Sequence, residues 1–491
     1  MVKRLEYKWI VGIVFVFGLF MDLLDMTITN VAIPTLSRDF NASTTQVQWV
    51  VTGYLLSLAT FIPVSGWLGD RFGTKRIFMT ALFLFTSASL ACGLANSIEM
   101  LVAFRLLQGV GGGILTPVGT AMLFRAFPPQ ERAKAAAILM IPMVVAPASG
   151  PVLGGYLVEY HSWEWIFWIN IPVGVLGFIF AGLFLREEKQ PTAGRLDIPG
   201  LVLGGGGLAA LLYGLAEAGD HGFGDPRALG FGGAGLATLV AFTLVELRTR
   251  EPMIDMRLFT NKLFAATNAV QMIGFAGLMG GLFLLPLMLQ APSTRGLGAF
   301  ESGLTTFPQA IGVVTMVQVT GRIYPIVGPR RMLMVGLTGV ALTTTAFYFV
   351  GLGTDLWFIR GIMFLRGCSF AFMLIALQTA TFATITPQLM GRASAISSAG
   401  RQVGASFGVA LLATVLTNRL SHHGTSLYVP GADSDAAITS FHEAFLVASA
   451  LTIIGAAAAF FVSDREAAVT MRRAAPVVEE EPSESAYAGV H

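Results

Sequence analysis

Gly66-Trp67-Leu68-Gly69-Asp70-Arg71-Phe72-Gly73-Thr74-Lys75-Arg76 returns 255 residues later as Gly321-Arg322-Ile323-Tyr324-Pro325-Ile326-Val327-Gly328-Pro329-Arg330-Arg331. Both outer glycines and both terminal bases keep their spacing. A second pair follows the same rule: Pro129-Gln130 precedes Arg132, and Pro387-Gln388, 258 residues on, precedes Arg392. Two matches at nearly one offset describe two halves of like topology related in parallel.

Each repeated segment closes a long apolar run. The chain of 491 residues is 54% hydrophobic and only 12% charged, with a mean hydropathy of +0.70, where a soluble globule carries about 25% charged residues. Such a composition belongs to a polytopic membrane protein. Apolar runs of bilayer-crossing length fall near 9–33, 47–69, 77–95, 101–124, 135–158 and 165–185, then 197–216 and 229–247, then 263–290, 302–321, 332–351, 361–383, 393–417 and 440–463. These fourteen spans divide into an N-terminal six-helix bundle (1–190), a two-helix insertion (191–260), a C-terminal six-helix bundle (261–465) and a polar, acidic, disordered tail (466–491). The expected fold class is therefore all-α and integral to the membrane.

Orientation follows from the basic residues. With the N-terminus inside, 23 of the 31 Lys and Arg lie on inner segments, five on outer segments and three within spans. The positive-inside rule then places both termini in the cytoplasm. No cleavable signal peptide is evident. Cys92 and Cys368 sit far apart in apolar segments and read as buried hydrophobes, and the six histidines show no metal-ligand spacing. No cofactor or metal is expected. A net charge of +2 does not suggest nucleic acid. No phosphate loop or nucleophile triad is apparent, so an enzyme is not expected.

Chemistry concentrates in the first span. Asp22 and Asp25 lie one turn apart in the apolar run 9–33, where a carboxylate costs about 2.5 kcal/mol or more unless it faces a cavity or a partner. Either acid fits a proton relay. Arg105, early in span 4, can serve a nearby carboxylate or bond to backbone carbonyls; Arg366 in span 12 and Arg401 in span 13 are weaker counterparts. In the loop repeat, Asp70 stands among Arg71, Lys75 and Arg76 and can accept charge-assisted hydrogen bonds. That contact would latch neighbouring helices, with Gly66 and Gly73 permitting close approach and a tight turn. Pro325 replaces Asp70 in the second half, so the latch is asymmetric. In span 5, Gly150, Gly154 and Gly155 make a smooth face beside the helix-bending Pro151. Deep in the second half stand Gln271, Gln290, Gln309, Gln318 and Gln378 rather than acids. With 37 Phe and 20 Met, this suggests an adaptable apolar pocket.

Five stretches together resemble one family. Leu24 to Pro34, including Asp25 and Asn30, resembles the acidic first-helix motif of the fourteen-span drug:proton antiporters of the major facilitator superfamily. Gly66 to Arg76 resembles the superfamily's loop motif, with Thr74 where a third base is usual. Arg105-Leu106-Leu107-Gln108-Gly109 resembles its fourth-helix motif, and Gly150-Pro151-Val152-Leu153-Gly154-Gly155 the antiporter motif. Trp163 to Pro172 resembles a branch-typical entry to span 6, with Glu164 where Arg is commoner. The resemblance implies two six-helix bundles rocking about a central cavity, protons exchanged for a small hydrophobic or cationic substrate, a role for Arg105 in proton transfer, and a span-5 seal between the halves. It also implies a bacterial plasma-membrane location, and a monomer is expected. A dedicated exporter of a metabolite, siderophore, antibiotic or lipid is the alternative within transport; a non-transporting scaffold or sensor is the alternative outside it. The two inserted spans are expected to lie off the pathway.

Overall fold

A computed structural model describes residues 6–42, 44–189, 197–249, 254–427 and 433–471. Among the described residues the regular structure is helical throughout, with no strand. The first group comprises α1 (Tyr7–Asp39), α2 (Thr44–Phe72), α3 (Thr74–Cys92), α4 (Ile98–Ala126), α5 (Arg132–Tyr160), the short α6 (Trp165–Trp168) and α7 (Asn170–Phe184). Then come α8 (Ile198–His221) and α9 (Pro226–Arg248). The last group is α10 (Lys262–Gln290), α11 (Ala299–Thr306), α12 (Pro308–Val327), α13 (Pro329–Ala346), α14 (Leu356–Thr381), α15 (Met390–His422) and α16 (Ser434–Ala458).

Short polar residues start many of these helices by accepting otherwise unpaired N–H groups. Ser97 caps α4, Asp225 caps α9, Asn261 caps α10, Asp355 caps α14 and Asp433 caps α16. Among the described residues, thirteen helical segments are long and apolar enough to cross a bilayer, α6–α7 and α11–α12 each counting as one. Large apolar side chains point outward along them, Leu183 at 71% exposure and Phe461 at 79%. On a soluble protein such surface would aggregate; in a bilayer it faces acyl chains.

The first seven helices pack among themselves around Phe15, Phe78, Phe85 and Phe124, and the last seven around clusters including Leu337, Met373, Leu412 and Phe441. Between them α8 packs on α9 and touches both α2 and α15. Its contacts are close: Thr414 Oγ1 donates to the Ala218 carbonyl at 2.8 Å, and a Cβ on Gly205 would lie 2.6 Å from the Thr60 carbonyl oxygen. The α8–α9 pair thus bridges the two groups.

The parallel repeat is built in three dimensions. Gly73 and Gly328 both hold a positive φ, 105° and 86°, ahead of the next helix. At each turn a carboxylate that the sequence did not single out accepts backbone N–H groups: Glu187 from Lys75 and Arg76, Asp464 from Arg330. One boundary needs correction. Residues 466–470 form a 3-10 turn packed on α12, where the Tyr324 and Thr470 hydroxyls hydrogen-bond at 2.9 Å, so the tail assigned to 466–491 does not begin at 466. Residues 472–491 lie outside the described residues.

Candidate functional site

The two acids of α1 occupy different environments. Asp25 is wholly buried. Its Oδ2 receives Arg105 Nη1 at 2.5 Å, and its Oδ1 receives Gln108 Nε2 at 2.9 Å and Asn170 Nδ2 at 3.0 Å. Arg105 also donates from Nε to the Val50 carbonyl at 2.9 Å and from Nη1 to Gln108 Oε1 at 2.8 Å. The arginine thus fills both roles open to it in the sequence, carboxylate partner and carbonyl donor. Every partner of Asp25 donates to it from nitrogen.

Asp22, one turn earlier, lines a cavity between the two helix groups together with Thr116 and Thr120 of α4, Gln378 of α14, and Arg401 and Gln402 of α15. Its partners are hydroxyls: Tyr54 donates to Oδ1, and Thr116 Oγ1 donates to Oδ2 at 2.9 Å. A hydroxyl donates to a carboxylate and accepts from a carboxylic acid with a simple rotation. Asp22 therefore keeps its hydroxyl partners whether or not it carries a proton. The cavity holds about 90 Å³, room for a few waters, against roughly 300–1,000 Å³ for a ligand-sized pocket. It is contracted in this state.

The cavity is shut at the end bearing the α2–α3 and α14–α15 loops. There α2 crosses α15 at Gly66 and Gly391, so closely that a Cβ on Gly66 would lie 2.6 Å from the Gly391 carbonyl oxygen. Arg125, at the end of α4, donates to Asp70 at 2.7 Å and to the Pro387 carbonyl at 2.8 Å. Arg132 donates to the carbonyls of Phe382 and, at 3.0 Å, Ala383. Ser394 Oγ reaches the Pro117 carbonyl at 2.8 Å, and the rings of Phe124 and Phe382 meet at 4.6 Å.

This geometry corrects the expected latch. Asp70 is paired with Arg125, not with Arg71, Lys75 or Arg76. The reason is the turn at Gly73, which sends the following bases along α3 toward α7. Lys75 Nζ donates to the Gly182 and Leu185 carbonyls at 2.8 Å, capping the end of α7, and Arg76 approaches Glu187 at 3.6 Å. Arg71 is exposed at the end of α2. The glycines of α5 need a second correction. A Cβ on Gly154 would lie 2.9 Å from Ile28 Cγ1, and Gly150 abuts Thr27, so this face packs on α1 within one group and not between the halves. Gly155 has open space beside it. Other faces of α5 meet α11, α12 and α14. The side chains of Asn30 and Pro151 lie outside the described residues.

Arg366 is fully buried in the second group, where its Nη2 donates to the Leu278 carbonyl at 3.0 Å while Nε and Nη1 find no partner among the described residues. Gly281 stands against it, so no acid answers it as Asp25 answers Arg105. Of the second-half glutamines singled out earlier, Gln378 lines the cavity, Gln271 is bound to Ser397 and Gln318 is exposed. Among the described residues no group of His, Cys, Asp and Glu could hold a metal ion. Sequence reasoning missed Tyr54, Thr116 and Arg125. Asn170, a lone amide in an apolar run, was the available signal for its own place at Asp25.

Residues 15–409 match the family model described as Major Facilitator Superfamily. The chain belongs to the major facilitator superfamily. It is similar to the uncharacterized MFS-type transporter YhcA of Bacillus subtilis (strain 168), 35% identical over 411 residues, 84% of this chain and 77% of that one. It is equally similar, at 35% over 406 residues, to a multidrug resistance protein B homolog of Mycobacterium tuberculosis (strain CDC 1551 / Oshkosh), covering 82% of this chain and 75% of the relative. The solved proton:xylose symporter XylE shares the fold at a TM-score of 0.65, with 14% identity over 94% of this chain and 97% of XylE. This major facilitator protein is thus a multi-pass membrane transporter for small molecules, not an enzyme.

Proposed function

We propose that this transporter is a proton-driven antiporter of the fourteen-span type that exports amphipathic, hydrophobic or monocationic compounds by alternating access. Asp22 trades its proton for substrate, while Asp25 holds Arg105, Gln108 and Asn170 in place. One observation carries this reading: Asp22 faces the cavity with hydroxyl partners, and Asp25 is enclosed by nitrogen donors. Proton and substrate competing for one carboxylate suffice for exchange. The mycobacterial relative's name, a multidrug resistance protein, supports a broad small-molecule range.

In this reading residues 1–190 and 261–465 are two rocking bundles, 191–260 the inserted pair, and the protein works as a monomer in a bacterial plasma membrane. The basic-residue bias puts both termini and the closed end in the cytoplasm, so the present state is closed to the cytoplasm. Asp70, Arg125 and the Pro387 carbonyl form the latch that must part for the inward-facing state. The test is purified protein in liposomes under an imposed pH gradient, following a fluorescent lipophilic cation and internal pH together. Matching opposed fluxes that Asp22→Asn abolishes support the proposal. Proton-driven efflux that survives Asp22→Asn overturns it.

A further inference from the structure

The cavity wall opposite Asp22 carries a charge that export of a simple cation does not need. Arg401 of α15 lines the same space, half-buried, and no hydrogen bond or ion pair engages its guanidinium among the described residues. Gln378, Ser398 and Gln402 flank it on the cavity surface. The first-half wall presents one carboxylate with hydroxyls, and the second-half wall one guanidinium with amides and a hydroxyl.

The charge balance distinguishes possible occupants. With Asp22 ionised the two walls offset each other. A monocation brought to Asp22 leaves the cavity one positive charge in excess and is repelled by Arg401 across a small, largely apolar space. A free anion suits Arg401 only while Asp22 is protonated, which would move substrate and proton together and not in exchange. A molecule bearing both charges satisfies both walls, and its cationic end still competes with the proton.

The geometry points to amphipathic zwitterions as the preferred substrates, with the cationic group at Asp22 and a carboxylate or similar anionic group at Arg401. This rests on the antiport reading above and deepens it. A planar guanidinium flanked by amides suits a carboxylate, which accepts two parallel N–H bonds from it.

The test compares a zwitterionic rhodamine bearing a free carboxylate with its methyl ester, a monocation of nearly the same shape, in liposomes under a pH gradient. Wild-type protein should export the free acid with a kcat/KM at least about tenfold above the ester, the scale of one charge-assisted contact. Arg401→Gln should erase that preference by slowing the free acid while sparing or quickening the ester, and Arg401→Lys should keep part of it. Ester carried as well as free acid by the wild type, or both slowed alike by Arg401→Gln, overturns the zwitterion proposal while leaving antiport standing. If neither dye moves with the gradient, antiport and the zwitterion proposal fall together.

Discussion

The guanidinium of Arg105 lies over the ring of Tyr54 at 4.3 Å, and the hydroxyl of that same tyrosine donates to Asp22. One side chain thereby joins the sealed network of Asp25 to the acid in the cavity. Stacking a cation on a buried ring favours a fixed arginine position, and Asp25 holds the other side of the guanidinium. In the proposed cycle, a change of proton at Asp22 reaches Tyr54 first and Arg105 next. Tyr54→Phe keeps the ring and removes the hydroxyl, so folding should suffer by only about 1 kcal/mol while proton-driven transport drops several-fold. Tyr54→Ala should cost several times more stability. Thermal unfolding in detergent beside transport rates separates the two.

Removing one acid should differ from removing the other. Asp25→Asn leaves Arg105 buried without its counter-charge, a loss of about 3–5 kcal/mol, and should lower the yield and melting temperature of the protein. Asp22→Asn leaves hydroxyl partners that adapt to an amide and should melt near wild type. It should also retain substrate exchange between two sides at equal pH while losing the response to a gradient. Equal melting temperatures for the two variants would contradict the assigned roles.

At the closed end, Gly66→Ala places a methyl group where the Gly391 carbonyl stands, 2.6 Å from its oxygen. The crossing must spread, and the equilibrium should move toward the state open at that end. Asp70→Asn, which weakens the hold on Arg125, should act in the same direction. Labelling rates of a cysteine introduced at Ser394 should rise in both variants; unchanged rates would show that the crossing is not what keeps this end shut.

A pH dependence is expected at the α4–α5 loop. The ammonium groups of Lys134 and Lys8, at 2.9 and 2.6 Å, hold the Glu131 carboxyl below its ordinary value of 4.5. A carboxyl held low in the folded state stabilises the fold above its ordinary value, and that contribution fades as pH falls through the lowered one. Melting temperatures of wild type and Glu131→Gln should therefore differ by a constant amount at neutral pH and converge as the pH falls below that ordinary value. A gap that widens on acidification would reverse the sign and exclude this pairing.

Much of this was legible in the chain. The two-fold repeat, the helical class and the candidate residues Asp22, Asp25 and Arg105 came from spacing and from charges set in apolar runs. Which acid faces the cavity was not legible, because a separation of three residues puts both on one helix side, and only the packing of α2, α4 and α7 tells them apart. The partner of Asp70 was misjudged for a similar reason. Nearness in sequence favoured Arg71, Lys75 and Arg76, but the turn at Gly73 points the last two away and leaves the place to Arg125, 55 residues distant. The glycines of α5 show the same limit: their spacing announces a close helix contact without saying that the contact is α1.

The Gly66–Gly391 crossing bears on how fast the transporter can turn over. Two helices that meet backbone to backbone have no side chains to interleave there, so parting and rejoining them requires no rotamer search and no loss of side-chain freedom. The time taken to switch should then be governed by the few polar bonds around the crossing, from Arg125, Arg132 and Ser394, each of which water can replace as the gap opens.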